Sequence, residues 1–234
     1  EACLVGSEMC IRDRSSGMLL AVLVTLISNQ IISYEWLVIG LVLGILVGAS
    51  AASFVKMTSM PELVALFNGF GGIASLLVGS AEYLGTGSLG LISLTAIFLT
   101  LIIGGITFSG SLVAYGKLSE ILPGKQITFK GQRIVLVAIF IAALLFGAQL
   151  IFNFQMVEGW NPLFSFVLLI SFSLVIGLLI TLPIGGADMP VIIALLNSYS
   201  GLAASAAGFV INNNVLIVAL SLIHISEPTR HASI

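Results

Sequence analysis

Residues Asp188–Gly208 read DMPVIIALLNSYSGLAASAAG. An aspartate leads into an apolar run that carries a carboxamide (Asn197), several hydroxyls and a scatter of small residues. The run is long enough to cross a bilayer, which takes roughly 20 apolar residues. Met60–Gly79, MPELVALFNGFGGIASLLVG, repeats the pattern at an offset of 129 residues. The offset pairs Met60 with Met189, Pro61 with Pro190, Asn68 with Asn197, Gly72 with Gly201 and Gly79 with Gly208. Positions 61, 65, 68, 72, 75 and 79 advance by four and three, so they share one helix face. That face reads Pro, Ala, Asn, Gly, Ser, Gly in the first copy and Pro, Ala, Asn, Gly, Ala, Gly in the second. Lipid does not call for such a stripe; close helix contact or a water-filled path does.

Composition sets the class around this pair. Of 234 residues, 59% are hydrophobic and 8% charged, and the mean hydropathy is +1.20. Soluble domains carry about 25% charge, so the chain is an integral membrane protein. Residues 1–16 and 221–234 do not continue the pattern of their neighbours and read as non-native tails. They hold both cysteines (Cys3, Cys10) and both histidines (His224, His231). The body, 17–220, thus offers no disulfide, thiol or histidine metal site, and no metal is expected. No basic stretch suits a nucleic acid.

Breaks at charges, Pro and Gly mark spans at about 18–33, 36–55, 61–82, 89–115, 133–152, 163–182 and 190–211, with an eighth, truncated, from Val215. The expected fold is an all-α, polytopic transmembrane helix bundle. Four spans separate the two copies, so both enter from the same side, a parallel internal pseudo-repeat rather than an inverted one. Lys56, Lys117, Lys125, Lys130 and Arg133 all fall on that side, which the positive-inside rule makes cytoplasmic. The loop Gly116–Arg133 reads either as a solvated connection with stop-transfer charges or as a docking surface. Gly40, Gly44 and Gly48 form a small-xxx-small ridge for packing inside the chain or across a dimer.

Each candidate residue has two readings. Asn68 and Asn197 are interhelical glue, or they line a hydrated path where an amide donates to one water and accepts from another. Ser75 lies on the same stripe, and Glu82 near the far end is interfacial or a proton acceptor. Asp188 precedes Met189-Pro190 and fits a helix N-cap. It also follows Gly185-Gly186-Ala187, a hinge at the mouth of the span, where a carboxylate switches partners with state. Gly72, Gly201 and Gly208 are packing positions. Walker, Rossmann and nucleophile-elbow patterns are missing from the body, so no catalytic residue and no bound cofactor are expected in it.

Three runs carry a resemblance: MPELVALFNGFGG (60–72), ITFSGSLVAYGKL (106–118) and IGGADMPVIIALLNSYSG (184–201), followed by AAGFVINNNVLIV (206–218). In them the chain resembles the beta-subunit membrane domain of the proton-translocating NAD(P) transhydrogenases, over essentially all of 18–219. The resemblance implies a proton channel in a bacterial inner membrane, coupled to hydride transfer from NADH to NADP+. It implies NADP(H) on a cytoplasmic domain after the last helix, absent from this sequence, and NAD(H) on an alpha subunit or segment. The complex is then a dimer in the lipid bilayer, and this piece alone is inactive in hydride transfer. By position, Asn68 and Asn197 fall in the proton path, with Asp188, Gly185, Gly186 and Pro190 at its coupling end. Some members of the family carry histidine where this chain has Asn68, so proton carriage there would rely on water, the amide or the partner. The competing class is a secondary transporter or channel for a small solute or ion, with the two copies as its gate. It lacks the charged midplane site such proteins use. A structural anchor for a soluble domain is the third.

Overall fold

The computed structural model describes residues 34–54, 59–85, 89–152 and 161–211. They form six α-helices: α1 (Tyr34–Phe54), α2 (Met60–Gly85), α3 (Leu91–Leu118), α4 (Gln132–Phe152), α5 (Pro162–Thr181) and α6 (Met189–Val210). A single 3-10 turn, Gly186–Asp188, leads directly into α6. No strand occurs among the described residues. Five helices are long and apolar enough to cross a bilayer, α6 being counted with its leading turn. In α4 and α5 the apolar residues run around the whole circumference, the pattern of a span rather than of a surface helix. Expected spans at 18–33 and beyond Val215 lie outside the described residues, as does Lys56.

Helix α1 belongs to a compact unit of its own, separate from the one that begins at Val55. The expected packing ridge of Gly40, Gly44 and Gly48 lies along this helix.

The second unit is built around α3, which packs on α2, α4, α5 and α6. Lipid tails are as apolar as leucine, so association depends on close packing, and small residues permit it. On α3 they face three ways. Gly104 meets Gly72 of α2 so tightly that a Cβ on either would stand 2.8–2.9 Å from the other's carbonyl oxygen. Gly105 is filled by Ser173 of α5, and Gly110 by Thr181 and Leu196. Antiparallel neighbours bring the starts of α2, α4 and α6 and the ends of α3 and α5 to one end, hereafter the loop end. At the far end the core is bulkier: Ile97, Leu101 and Leu169 are fully buried, and Tyr83 stacks on Phe166 with centroids 4.6 Å apart.

Helices α2 and α6 run side by side in the same direction. Ala65, Ala114, Met189 and Ile193 share a cluster at the loop end, and a Cβ on Gly71 would stand 3.5 Å from the Ser200 hydroxyl. Gly71 and Ser200 are the positions that the 129-residue offset pairs.

Helix starts divide into two kinds. Asn161 is a working N-cap of α5, its side-chain oxygen accepting from Leu163 N at 3.0 Å, with Pro162 in the first position. Asp188 departs from the expected cap. Its backbone is already helical (φ −91°, ψ −2°), and its side chain makes no cap hydrogen bond. A capping residue needs extended backbone to fold its side chain over the first turn; the 3-10 turn denies Asp188 that geometry and leaves it exposed.

Candidate functional site: a buried polar cluster and a tied hinge

The stripe on α2 turns inward. Ala65, Asn68, Gly72, Ser75 and Gly79 are all buried, whereas Pro61 is exposed. Asn68 lies eight residues into α2, roughly 12 Å along the axis at 1.5 Å per residue. Its Nδ2 donates to Ser111 Oγ of α3 at 3.0 Å. Its main-chain oxygen accepts from Ser200 Oγ of α6 at 3.2 Å. Three helices therefore meet at Asn68. Two buried oxygens of this cluster have no hydrogen-bond partner: Asn68 Oδ1 and Thr107 Oγ1. Thr107 stands one turn from Ser111 on α3, and a Cβ placed on Gly72 would stand 3.1 Å from its Cβ. Buried polar atoms are rarely left unsatisfied; among the described residues Gln149 Oε1 and Ser165 Oγ share that state away from this cluster.

Beyond that level the seam closes. The Gly72–Gly104 contact leaves no space for a methyl group, let alone a water. Gly79 meets Thr100 at 3.3 Å from its virtual Cβ. Ser75 hydrogen-bonds back to Gly71 O within its own helix. Of the two uses open to the stripe, close helix contact is the one taken between Gly72 and Gly79. Glu82 lies at the far end, half-buried.

The matching face of α6 is different. Pro190, Ala194 and Asn197 are exposed, while Gly201 and Gly208 are buried. Asn197 therefore does not join Asn68 among the described residues; Ser200, one turn on, reaches the cluster instead. The 107–111 hydroxyls were missed as site residues in the sequence, although ITFSGS was in view. Three hydroxyls within five residues of a glycine-rich span were the signal, but hydroxyls also bond to their own helix, as Ser109 does to Gly105 O.

The end of α3 begins a second feature. Lys117 is 3% exposed. Its Nζ donates to Leu182 O and Ile184 O, both at 2.6 Å. Expected as a solvated stop-transfer charge, it instead caps the carbonyls that end α5, where a cation is favoured. The loop that follows straps onto the same segment. Ile127 N donates to Leu182 O at 3.1 Å, and Gly186 N donates to Gly124 O at 2.9 Å. Gln132 Nε2 reaches Leu179 O at 2.9 Å. The expected hinge at Gly185–Gly186 is thus tied down on two sides, while Lys125, Lys130 and Arg133 stay exposed.

A cavity of about 490 Å³ lies elsewhere, among Ile106, Phe140, Ile180, Tyr199 and Leu202. Its walls are almost wholly apolar, Tyr199 being the one lining residue with a polar side-chain group.

Comparison with known proteins bears on what this architecture serves. The family model described as NAD(P) transhydrogenase beta subunit matches residues 9–227. That range takes in 9–16 and 221–227 from the two ends set aside as foreign. Two sequences of NAD(P) transhydrogenase subunit beta from Rhodospirillum rubrum are each 40% identical over 215 residues, covering 88% of this chain. The chain spans about half the length of these curated relatives, 45% in each case. An all-helical bundle with a polar cluster in its interior, matched over nearly all its length, belongs to the NAD(P) transhydrogenase beta-subunit family.

Proposed function

We propose that the full-length subunit containing this chain is the proton-translocating part of an NAD(P) transhydrogenase. Inward proton flow through it is coupled to hydride transfer from NADH to NADP+, carried out by cytoplasmic domains. The observation that carries this reading is the buried Asn68–Ser111 hydrogen bond between α2 and α3, with the unpartnered oxygens of Asn68 and Thr107 beside it. A carboxamide does not titrate near neutral pH, so Asn68 orients rather than carries. Its Oδ1 accepts from a water, its Nδ2 holds Ser111, and the Ser111 hydroxyl can donate while it accepts. Protons pass along that water. Because the α2–α3 seam is closed at Gly72, onward movement toward Ser75 and Glu82 needs the helices to part or the route to pass around the seam.

The cavity among the described residues is lined almost wholly by aliphatic and aromatic side chains. Nicotinamide chemistry falls to other domains, NADP(H) on a segment of this subunit and NAD(H) on an alpha partner in a dimeric complex. The loop end faces the bacterial cytoplasm, since Lys117, Lys125, Lys130 and Arg133 gather there. Asp188, exposed and free of a capping duty, and Asn197, exposed on α6, are placed to answer what docks on them.

The test uses the full-length subunits in inside-out vesicles, with a pH-sensitive dye read during hydride transfer. Asn68→Leu is expected to stop acidification while nucleotide binding persists. Unchanged acidification would remove the cluster from the path.

A further inference from the structure

Lys117 is the one buried ammonium among the described residues, and neither the cluster nor the helix packing uses it. It meets carbonyls rather than a carboxylate, and both carbonyls belong to the segment between α5 and the 3-10 turn. Burying an ammonium is costly unless its donors are satisfied, and an ionisable group inside a membrane bundle is a functional candidate by default. The position makes the candidate specific. Lys117 shares α3 with Ser111, six residues or roughly 9 Å away along a continuous helix. One end of this rod grips the 182–184 carbonyls, and the other holds the amide of Asn68. Of the hydrogen bonds that reach the 182–186 segment from other elements, the Lys117 pair comes from a helix of the polar cluster and the Gly124 and Ile127 bonds from the exposed loop; Ile184 also packs on Ala65, Ala114, Met189 and Ile193, but such apolar contacts can slide where a hydrogen bond cannot.

We propose that Lys117 is the positioning residue through which displacement of the 182–188 segment reaches the Asn68–Ser111 pair. This coupling role rests on the transhydrogenase reading; the clamp on the segment does not. A movement of Gly186–Asp188 pulls on Leu182 and Ile184, whose carbonyls transmit it to the ammonium and so to α3. Charge matters because the acceptors sit at the negative end of α5. Arginine, with a planar fork of donors, can span the same two carbonyls; methionine fills the volume and grips neither.

The experiment has two arms, both on the full-length subunit in membranes. The first pairs Gln126→Cys with Gly185→Cys in a cysteine-free background. A Cβ on Gly185 stands 4.0 Å from Gln126 Cγ, near disulfide range. Oxidant-driven cross-linking is expected to proceed readily with Lys117 present and at least about fivefold more slowly in Lys117→Met, the low end of measured coupling effects. An equal rate overturns the clamp, whatever the protein's activity. The second arm reads protons moved per hydride transferred. Lys117→Met is expected to lower that ratio at least about fivefold while hydride transfer stays within about twofold, and Lys117→Arg to restore it. A ratio that does not change, with both activities falling in step with the amount of assembled protein, overturns the coupling role and leaves a helix cap. Should Lys117→Met not assemble, Lys117→Gln is read by the same ratio. A parent complex that moves no protons at all defeats the transhydrogenase reading instead, and the cross-linking arm still decides the clamp.

Discussion

Helices α2 and α6 carry the same stripe, yet the bundle uses it in opposite ways. On α2 the asparagine is buried, bonded to Ser111 and followed by a glycine pressed against another backbone. On α6 the asparagine is exposed, and of the stripe only Gly201 and Gly208 are buried. The reason is the position of α3. It runs along the stripe of α2, but it meets α6 on the side of Leu196, which fills the space beside Gly110. A shared pattern thus fixes which residues are small and polar, while the neighbour fixes which of them become interior.

The largest effect that would break this comparison is at the glycine seam. Gly72→Val is expected to cost about 3 kcal/mol or more, because its Cβ meets backbone rather than a yielding side chain. Gly90→Val, at a position of ordinary backbone with nothing within 4 Å of its Cβ, should stay within about 0.5 kcal/mol. Thermal unfolding in detergent compares the two; equal losses would mean that the α2–α3 seam is not as close as 2.8 Å.

Next comes the asparagine pair. Asn68→Leu should destabilise by about 1–2 kcal/mol, the worth of a polar contact between membrane helices. Asn197→Leu should change stability by less than about 0.5 kcal/mol. Equal costs in the assembled complex would erase the distinction between the copies. A silent Asn197→Leu in stability that still impairs proton movement would sharpen it.

The smallest effects separate the two helix starts. Asn161→Ala removes a working cap and should cost about 1 kcal/mol. Asp188→Asn removes no cap bond, so its stability should stay within a few tenths of a kcal/mol, as for surface changes. Its consequence is expected in the proton-to-hydride ratio; a ratio identical to that of the parent would leave Asp188 without a coupling role.

Much of this was legible before any coordinates. Charge content and apolar run lengths pointed to a helical membrane bundle, and the limits of α2 through α6 fall within a few residues of the charges, prolines and glycines that mark them. Asn68 was legible because a carboxamide in a long apolar span is unusual. Ser111, Thr107 and Lys117 were not. Serine and threonine often satisfy themselves on the preceding turn, and a lysine at the end of a span usually reaches outward to solvent or headgroups. Which of these residues departs from its usual habit depends on the helix lying opposite.

Sequence alone determined that the chain is a bundle of spans, that two of them carry one pattern, and where the basic residues gather. Those properties follow from local composition and period, which act within one helix and its solvent. The tertiary structure decided that Asn68 is interior and Asn197 is not, that Asp188 caps nothing, and that Lys117 grips the segment ahead of it. Each of those outcomes needs two or three helices at close quarters, and a hydrogen bond across 43 or 65 residues of chain is not written in either neighbourhood taken by itself.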